Sequence, residues 1–114
     1  MLVEPDPTSI GHEQDGMRPC VVVSDPAILG KLRFPMLAVV PLTSARFHHA
    51  FNPVVQPHPG SGLRSVSTAL PDHTRCIDPR RVVKLYGAIA PTEIEAIDAA
   101  LSTFLGLEGT PRRT

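Results

Sequence analysis

Two short apolar runs stand out against a mixed pattern of hydrophobic and polar positions. The first, residues 19–24, contains three consecutive valines and is followed by a proline at position 26. The second covers residues 36–42. Short β-branched runs between prolines are typical of strands buried on both faces. Because a polar connection over residues 27–35 joins them, we expect the two strands to pair as antiparallel neighbours.

Weaker strand patterns surround these two. Residues 1–4 form a strand fragment, which a long loop follows up to Met17. Residues 51–56 and 63–70, joined by the glycine- and proline-containing turn 58–62, predict a hairpin. Residues 81–86 alternate in polarity as a further strand does. Five or six short strands before any clear helix predict a small barrel or sandwich.

A helix signal stands at the C-terminal end. Thr92 and Glu95 have the spacing of a capping box, and Gly106 is a suitable helix stop. The apolar positions between them recur at helical spacing and predict one amphipathic helix packed on the β core: Ile94, Ile97, Leu101, Phe104 and Leu105.

Composition limits the possible classes of protein. The chain has 114 residues, 42% of them hydrophobic, so we expect one domain over residues 1–114 with a frayed tail over about 107–114. Eleven basic and eleven acidic side chains cancel, so any nucleic-acid site requires locally clustered cations. The apolar runs are too short to cross a membrane, and the N-terminus has no signal core. We therefore expect a cytoplasmic protein in which Cys20 and Cys76 are reduced.

Few patterns indicate chemistry directly. The five histidines have spacings that match no familiar metal site, so we expect no metal and no cofactor. Arg18 stands where the first apolar strand begins, a position from which arginine can hold a phosphate through two hydrogen bonds. The alternative is a surface salt bridge to Glu13 or Asp15. Thr43 and Ser44 end the second strand, where their hydroxyls either contact phosphate or hydrogen-bond their own backbone.

Three sequence segments resemble those of one family. Residues 11–24, GHEQDGMRPCVVVS, closely resemble the G-x-E-Q-x-G-x-R-P pattern and valine-rich strand of the MazF/PemK toxins. Residues 39–44, VVPLTS, resemble the second motif of that family. Residues 74–81, TRCIDPRR, resemble its R-x-I-D-x-x-R segment. Gly87 and the closing helix follow in the expected order.

This resemblance implies a fold and an activity. The fold is expected to be mainly β with a C-terminal helix, an SH3-like small barrel of the MazF/PemK/CcdB type that forms a homodimer. The expected activity is metal-independent cleavage of single-stranded mRNA at a short recognition sequence, inhibited by a cognate antitoxin. Arg18 and Thr43 map onto the catalytic positions of the family. Further RNA contacts are expected from Glu13, Gln14, Ser44, Arg46, His73 and Arg75.

The chain departs from the family pattern in two places. It begins where the middle of the first strand of the family is expected, without the usual R-G-D/E lead-in, and His73 replaces a common glutamine. Two other functions stay open. One is a non-catalytic toxin that binds DNA gyrase on the same barrel, as CcdB does, and the other is a degenerate homologue that binds an antitoxin without cutting RNA.

Overall fold

The computed structural model of the chain describes residues 2–5, 18–45 and 49–107. Within them lie seven strands and two α-helices. The short helix α1 covers Pro26–Leu29, and the long helix α2 covers Pro91–Leu105. The strands are β1 (Leu2–Pro5), β2 (Cys20–Val22), β3 (Leu37–Thr43), β4 (Val54–Val55), β5 (Ser67–Ala69), β6 (Arg75–Ile77) and β7 (Val82–Leu85).

Strand β3 organises the sheet because it is the longest strand and has three partners. β2 pairs along one side of it, with Val21 opposite Val40. On the other side, β6 pairs with its first half and β5 with its last two residues. The strand order is β4-β5-β3-β2-β1-β7, and every pairing described is antiparallel. The predicted β2–β3 pairing and the β4–β5 hairpin are confirmed.

The two faces of the sheet bury separate apolar layers. Side chains alternate between faces along a strand, so Val21 enters the first layer while Cys20 enters the second. Helix α2 covers the first layer through Ile97, which is fully buried. The prediction of β2 as a strand buried on both faces is thereby confirmed, as is the predicted packing of one helix on a mainly β core.

The start of helix α2 corrects the predicted capping box. The cap is Ala90, not Thr92, and the helix begins at Pro91. Proline suits the first helical position because its fixed φ is already helical and its missing N–H leaves no donor unpaired. The carboxylate that returns to the cap is then Glu93, which accepts a hydrogen bond from the Ala90 N–H at 3.2 Å. Gly106 ends the helix with φ +69°, as predicted.

Two elements were not predicted. Asp25 accepts a hydrogen bond from the Ala27 N–H at 2.9 Å and starts the single turn of α1 inside the expected polar connection. Strand β6 lies in the segment that was interpreted only as a motif. The predicted tail beyond Leu107 falls outside the described residues. No helix within the described ranges has the length and apolarity needed to cross a membrane.

Candidate functional site

A cleft of about 320 Å³ opens where β2 begins and β3 ends. Pro19 and Leu42 are among its lining residues, and the Leu42 N–H donates to the Pro19 carbonyl at 3.0 Å. The other walls come from the segment that leads into β5 and from β7. The lining residues beyond Pro19 and Leu42 are Arg18, Ser44, Gly62, Leu63, Arg64, Ser65, Ser67, Lys84 and Tyr86.

The cleft concentrates positive charge in a chain that has none overall. Arg18, Arg64 and Lys84 line it from three separate segments, and all three are exposed. Among the side chains that the structure describes, no carboxylate lines the cleft. Three cations on one concave surface create a local positive potential, although the formal net charge of the chain is zero. The cleft therefore suits a polyanion.

The backbone that follows β3 is held by two hydrogen bonds, one to the N–H and one to the carbonyl of Ala45. The Thr43 hydroxyl accepts a hydrogen bond from the Ala45 N–H at 3.2 Å, and the buried Thr68 hydroxyl donates to the Ala45 carbonyl at 3.1 Å. The alternative interpretation of Thr43 as a turn residue is thus realised. Its hydroxyl proton is not used in that bond, since the oxygen accepts. Ser44 follows it into the lining of the cleft.

A loop over residues 58–62 is packed tightly against the end of β7. Ser61 is fully buried, and its carbonyl accepts a hydrogen bond from the Gly87 N–H at 2.9 Å. A Cβ on Gly87 would lie 1.7 Å from the Gly60 carbonyl oxygen, so only glycine fits at position 87. Gly62 has φ +78°, a backbone conformation that favours glycine. These contacts tie the loop that leads to Arg64 and Ser65 to the segment after β7.

The remaining predicted site residues lie apart from this cleft or outside the described chain. Arg75 is paired with Val39, four residues before Thr43 on β3, or about 13 Å along the strand. His73 lies in a short 3₁₀ turn with its Nε2 3.8 Å from an Asp72 carboxylate oxygen. Neither residue lines the cleft. Glu13, Gln14 and Arg46 fall outside the described residues, so their roles stay predictions.

The lining residues that sequence reasoning did not assign to a site include Arg64, Ser65, Lys84 and Tyr86. The hairpin turn was recognised from its glycines and prolines, but no local pattern shows that it folds onto β7. The hydrogen bond between Ser61 and Gly87 joins the loop before Arg64 to the segment after Lys84, a contact between residues far apart in sequence. Lys84 was visible as a polar position in an alternating strand, which is also what an ordinary solvated position looks like.

Cysteine and metal chemistry add little to this site. Cys20 is buried and Cys76 is exposed, and neither is part of a disulfide. Among the described residues, no three histidine, cysteine, aspartate or glutamate side chains come together in a way that would hold a metal ion. The expectation of a site without metal stays a prediction.

The sequence as a whole matches one protein family. Residues 1–105 match the family of PemK-like, MazF-like toxins of type II toxin–antitoxin systems. The chain belongs to this family. The match includes Arg18, which precedes β2, and Thr43, which ends β3, and the predicted resemblance is confirmed.

Solved structures of MazF toxins share the fold. MazF from Deinococcus radiodurans is 31% identical, with 92% of each chain covered and a TM-score of 0.70. The MazE–MazF complex of the same organism matches at 27% identity over 92% of this chain and 90% of that one, with a TM-score of 0.68. An endoribonuclease in complex with its cognate antitoxin, from a mycobacterial species, matches at 22% identity over 96% and 94% with a TM-score of 0.69. At that identity the likeness concerns the fold alone. The predicted MazF/PemK-type fold is confirmed.

Within the MazF-like fold, the cleft offers two kinds of group for a phosphate. Guanidinium and ammonium groups bind its charge, and the hydroxyls of Ser44 and Ser65 can donate to its oxygens. A guanidinium stays protonated at all physiological pH values, so Arg18 can stabilise negative charge but cannot readily remove a proton. Arg18 and Ser44 are the predicted site residues that the structure brings together in the cleft, with Thr43 next to Ser44.

Proposed function

We propose that the chain is the toxin of a toxin–antitoxin pair and that it cleaves single-stranded mRNA at a short recognition sequence, in the cleft around Arg18. The observation that carries the proposal is the position of Arg18, within the residues that match the family, in a cleft with two further cations and no described carboxylate. A surface of this charge favours a nucleic acid chain over a neutral ligand.

The proposed reaction needs no external nucleophile. The RNA 2′-hydroxyl attacks the adjacent phosphorus, so that the O2′–P bond forms while the P–O5′ bond breaks. The products are a cyclic phosphate and a 5′-hydroxyl, which receives a proton as the 2′-hydroxyl loses one. Arg18 stabilises the additional negative charge of the phosphorane, and Thr43 donates its hydroxyl proton to a phosphate oxygen. DNA lacks the nucleophile and is not cut.

The proposed partners follow from the family and from the charges. Antitoxins are bound in the MazE–MazF and mycobacterial complexes described above. An acidic antitoxin segment that folds on binding would neutralise the cations of the cleft and exclude RNA from it. We also propose that the active form is a cytoplasmic homodimer. The resemblance to the MazF/PemK toxins, from which the activity is inferred, implies this dimer as well.

The test is cleavage of a long single-stranded RNA in EDTA, with the fragment ends mapped. Wild-type protein is expected to cut at a short recurring sequence and to leave single-stranded DNA of the same sequence intact. Arg18→Ala is expected to lower the rate about 100-fold or more, the usual cost of removing a group that stabilises a transition-state anion. Thr43→Val should lower the rate as well, while Thr43→Ser retains it because the hydroxyl remains.

Arg33→Ala is the matched control. Arg33 is exposed like Arg18, but its guanidinium lies 5.5 Å from the ring centroid of Phe34 and does not line the cleft. It should cut as fast as wild type. Intact RNA from a folded wild-type protein would overturn the proposed activity and favour a gyrase-binding or degenerate toxin. Cleavage that persists in Arg18→Ala would place the active site elsewhere.

A further inference from the structure

Lys84 lies over an aromatic side chain of the same cleft. Its side chain is exposed on β7, yet its Nζ lies 4.8 Å from the centroid of the Tyr86 ring. A cation over an aromatic face is attracted by the ring quadrupole. A lysine is normally a flexible point charge on a four-carbon stem, so this contact restricts where its charge lies. Both side chains line the cleft that contains Arg18.

The Tyr86 ring is itself well supported. Its backbone N–H donates to the Leu2 carbonyl at 2.9 Å, and the side chain packs against the first apolar layer. A Cβ built on Gly62 would lie 3.2 Å from a Tyr86 ring carbon, so the backbone of the loop lies directly against the ring. Tyr86 therefore serves as a fixed base for the lysine rather than as a mobile surface ring.

Arg64 lines the same cleft from the loop whose Gly62 lies against the Tyr86 ring. It stands two residues after Gly62, in the loop that the Ser61 carbonyl ties to Gly87. The Ser61 hydroxyl also accepts a hydrogen bond from the Leu63 N–H at 3.1 Å. One packing arrangement thus places a guanidinium and an ammonium in one cleft, from parts of the chain twenty residues apart.

We propose that Arg64 and Lys84 form a second phosphate-binding subsite, which holds an RNA phosphate adjacent to the one at Arg18. This inference rests on the proposed function. The two cations line one cleft of about 320 Å³ together with Arg18, and three positive charges on one concave surface attract an anion. The subsite binds RNA equally in the ground state and the transition state, whereas Arg18 acts on the reacting phosphate. Its contribution is to affinity, not to the chemical step.

The test compares Lys84→Gln with Lys31→Gln. Lys31 is the other lysine of the chain, is exposed, and does not line the cleft. Affinity is measured for an RNA oligonucleotide with a 2′-deoxynucleotide at the position of cleavage, or for the unmodified RNA if wild-type protein does not cut it. The salt dependence of log K should become shallower by about 0.7 per lost phosphate contact on a single strand. If the affinities of the two proteins converge at about 1 M salt, this change in slope corresponds to about eightfold weaker RNA binding at about 50 mM salt.

Further variants separate a binding role from a structural one. Arg64→Gln should weaken binding as Lys84→Gln does, and Lys84→Arg should restore both affinity and salt slope. Tyr86→Phe keeps the ring face and should bind like wild type, whereas Tyr86→Leu should lose part of the affinity. In the cleavage assay, Lys84→Gln should raise KM with kcat nearly unchanged, the opposite of Arg18→Ala.

The outcomes distinguish this inference from the proposed function. RNA cleavage by wild-type protein, with Lys84→Gln and Arg64→Gln binding as tightly as Lys31→Gln, would overturn the subsite and leave the activity standing. Weaker binding in both variants without any cleavage by wild type would support the subsite and overturn the activity. Unchanged RNA affinity together with weaker binding of a polyglutamate peptide would assign the two cations to an acidic peptide, and the proposal would fail.

Discussion

At the scale of single residues, Asp78 shows how one carboxylate can serve two local interactions. Its Oδ1 accepts a hydrogen bond from the Arg80 N–H at 2.9 Å and so caps the 3₁₀ turn Pro79–Arg81. Its Oδ2 lies 2.6 Å from an Arg80 guanidinium nitrogen. These bonds from the Arg80 side chain and backbone lower the pKa of Asp78 from 3.8 to about 2. They also raise the pKa of Arg80.

This depressed pKa predicts a specific dependence of stability on pH. A carboxylate whose folded pKa lies below its unfolded value stabilises the native state above the unfolded pKa and loses that effect as it is protonated. The stability difference between wild type and Asp78→Asn should therefore be constant above about pH 5 and shrink between about pH 4 and 2. Urea unfolding of both proteins across this range measures the difference. A difference that stays constant down to about pH 2.5 would show that the ion pair does not contribute.

The residue scale also shows where sequence reasoning is limited. Thr43 was assigned two competing roles from its position after a strand. The structure shows that the hydroxyl oxygen accepts from the Ala45 N–H, which is the local turn contact, and that this contact leaves its proton for another partner. A sequence defines which atoms a side chain has, but not which of several nearby acceptors it meets.

At the scale of elements, Glu93 joins the start of helix α2 to the end of strand β4. One carboxylate oxygen accepts from the Ala90 N–H at 3.2 Å, and the other accepts from the Gln56 N–H at 2.7 Å. The first contact satisfies a helix donor that has no partner inside the helix. The second fixes β4, a strand of two residues, against the helix. Hydrogen bonds to a charged group are stronger than those between neutral groups.

Glu93→Ala should lower the free energy of unfolding by about 2 kcal/mol, because two backbone donors lose a charged acceptor. Glu95→Ala is the matched control, since Glu95 is an exposed residue of the same helix and should cost less than about 0.5 kcal/mol. Urea denaturation of both variants tests this expectation. Equal costs for the two substitutions would mean that the contact with Gln56 adds nothing to stability.

The elements differ in how far the sequence could predict them. Strands β2 and β3 follow from their runs of valine, and the end of α2 follows from Gly106. Strand β6 could not be predicted because Arg75–Ile77 is short and polar at its start, and it becomes a strand through pairing with β3. The cap of α2 was misplaced because two glutamates stand near a threonine, and only Pro91 distinguishes the correct start.

At the scale of the whole molecule, positive charge is concentrated in one cleft although the net charge is zero. The net charge is zero, so the chain as a whole neither attracts nor repels RNA over long distances. Binding must come from the cleft, where the β2 start, the β5 approach and β7 each supply one cation. The family motifs locate Arg18, but the other two cations depend on how the hairpin loop packs against the sheet. This is why composition pointed away from a nucleic acid partner.

This local concentration of positive charge predicts that RNA binding weakens as the salt concentration rises, although the protein has no net charge. If each of the three cleft cations contacts one phosphate, log K for single-stranded RNA should fall with log salt at a slope of about −2. Raising NaCl from about 50 to 200 mM should then weaken binding by about 20-fold. Fluorescence anisotropy of a labelled, uncleaved oligonucleotide measures the slope. A slope near zero would mean that RNA is held through its bases or not in this cleft, because contacts with phosphates release counterions whatever the net charge of the protein.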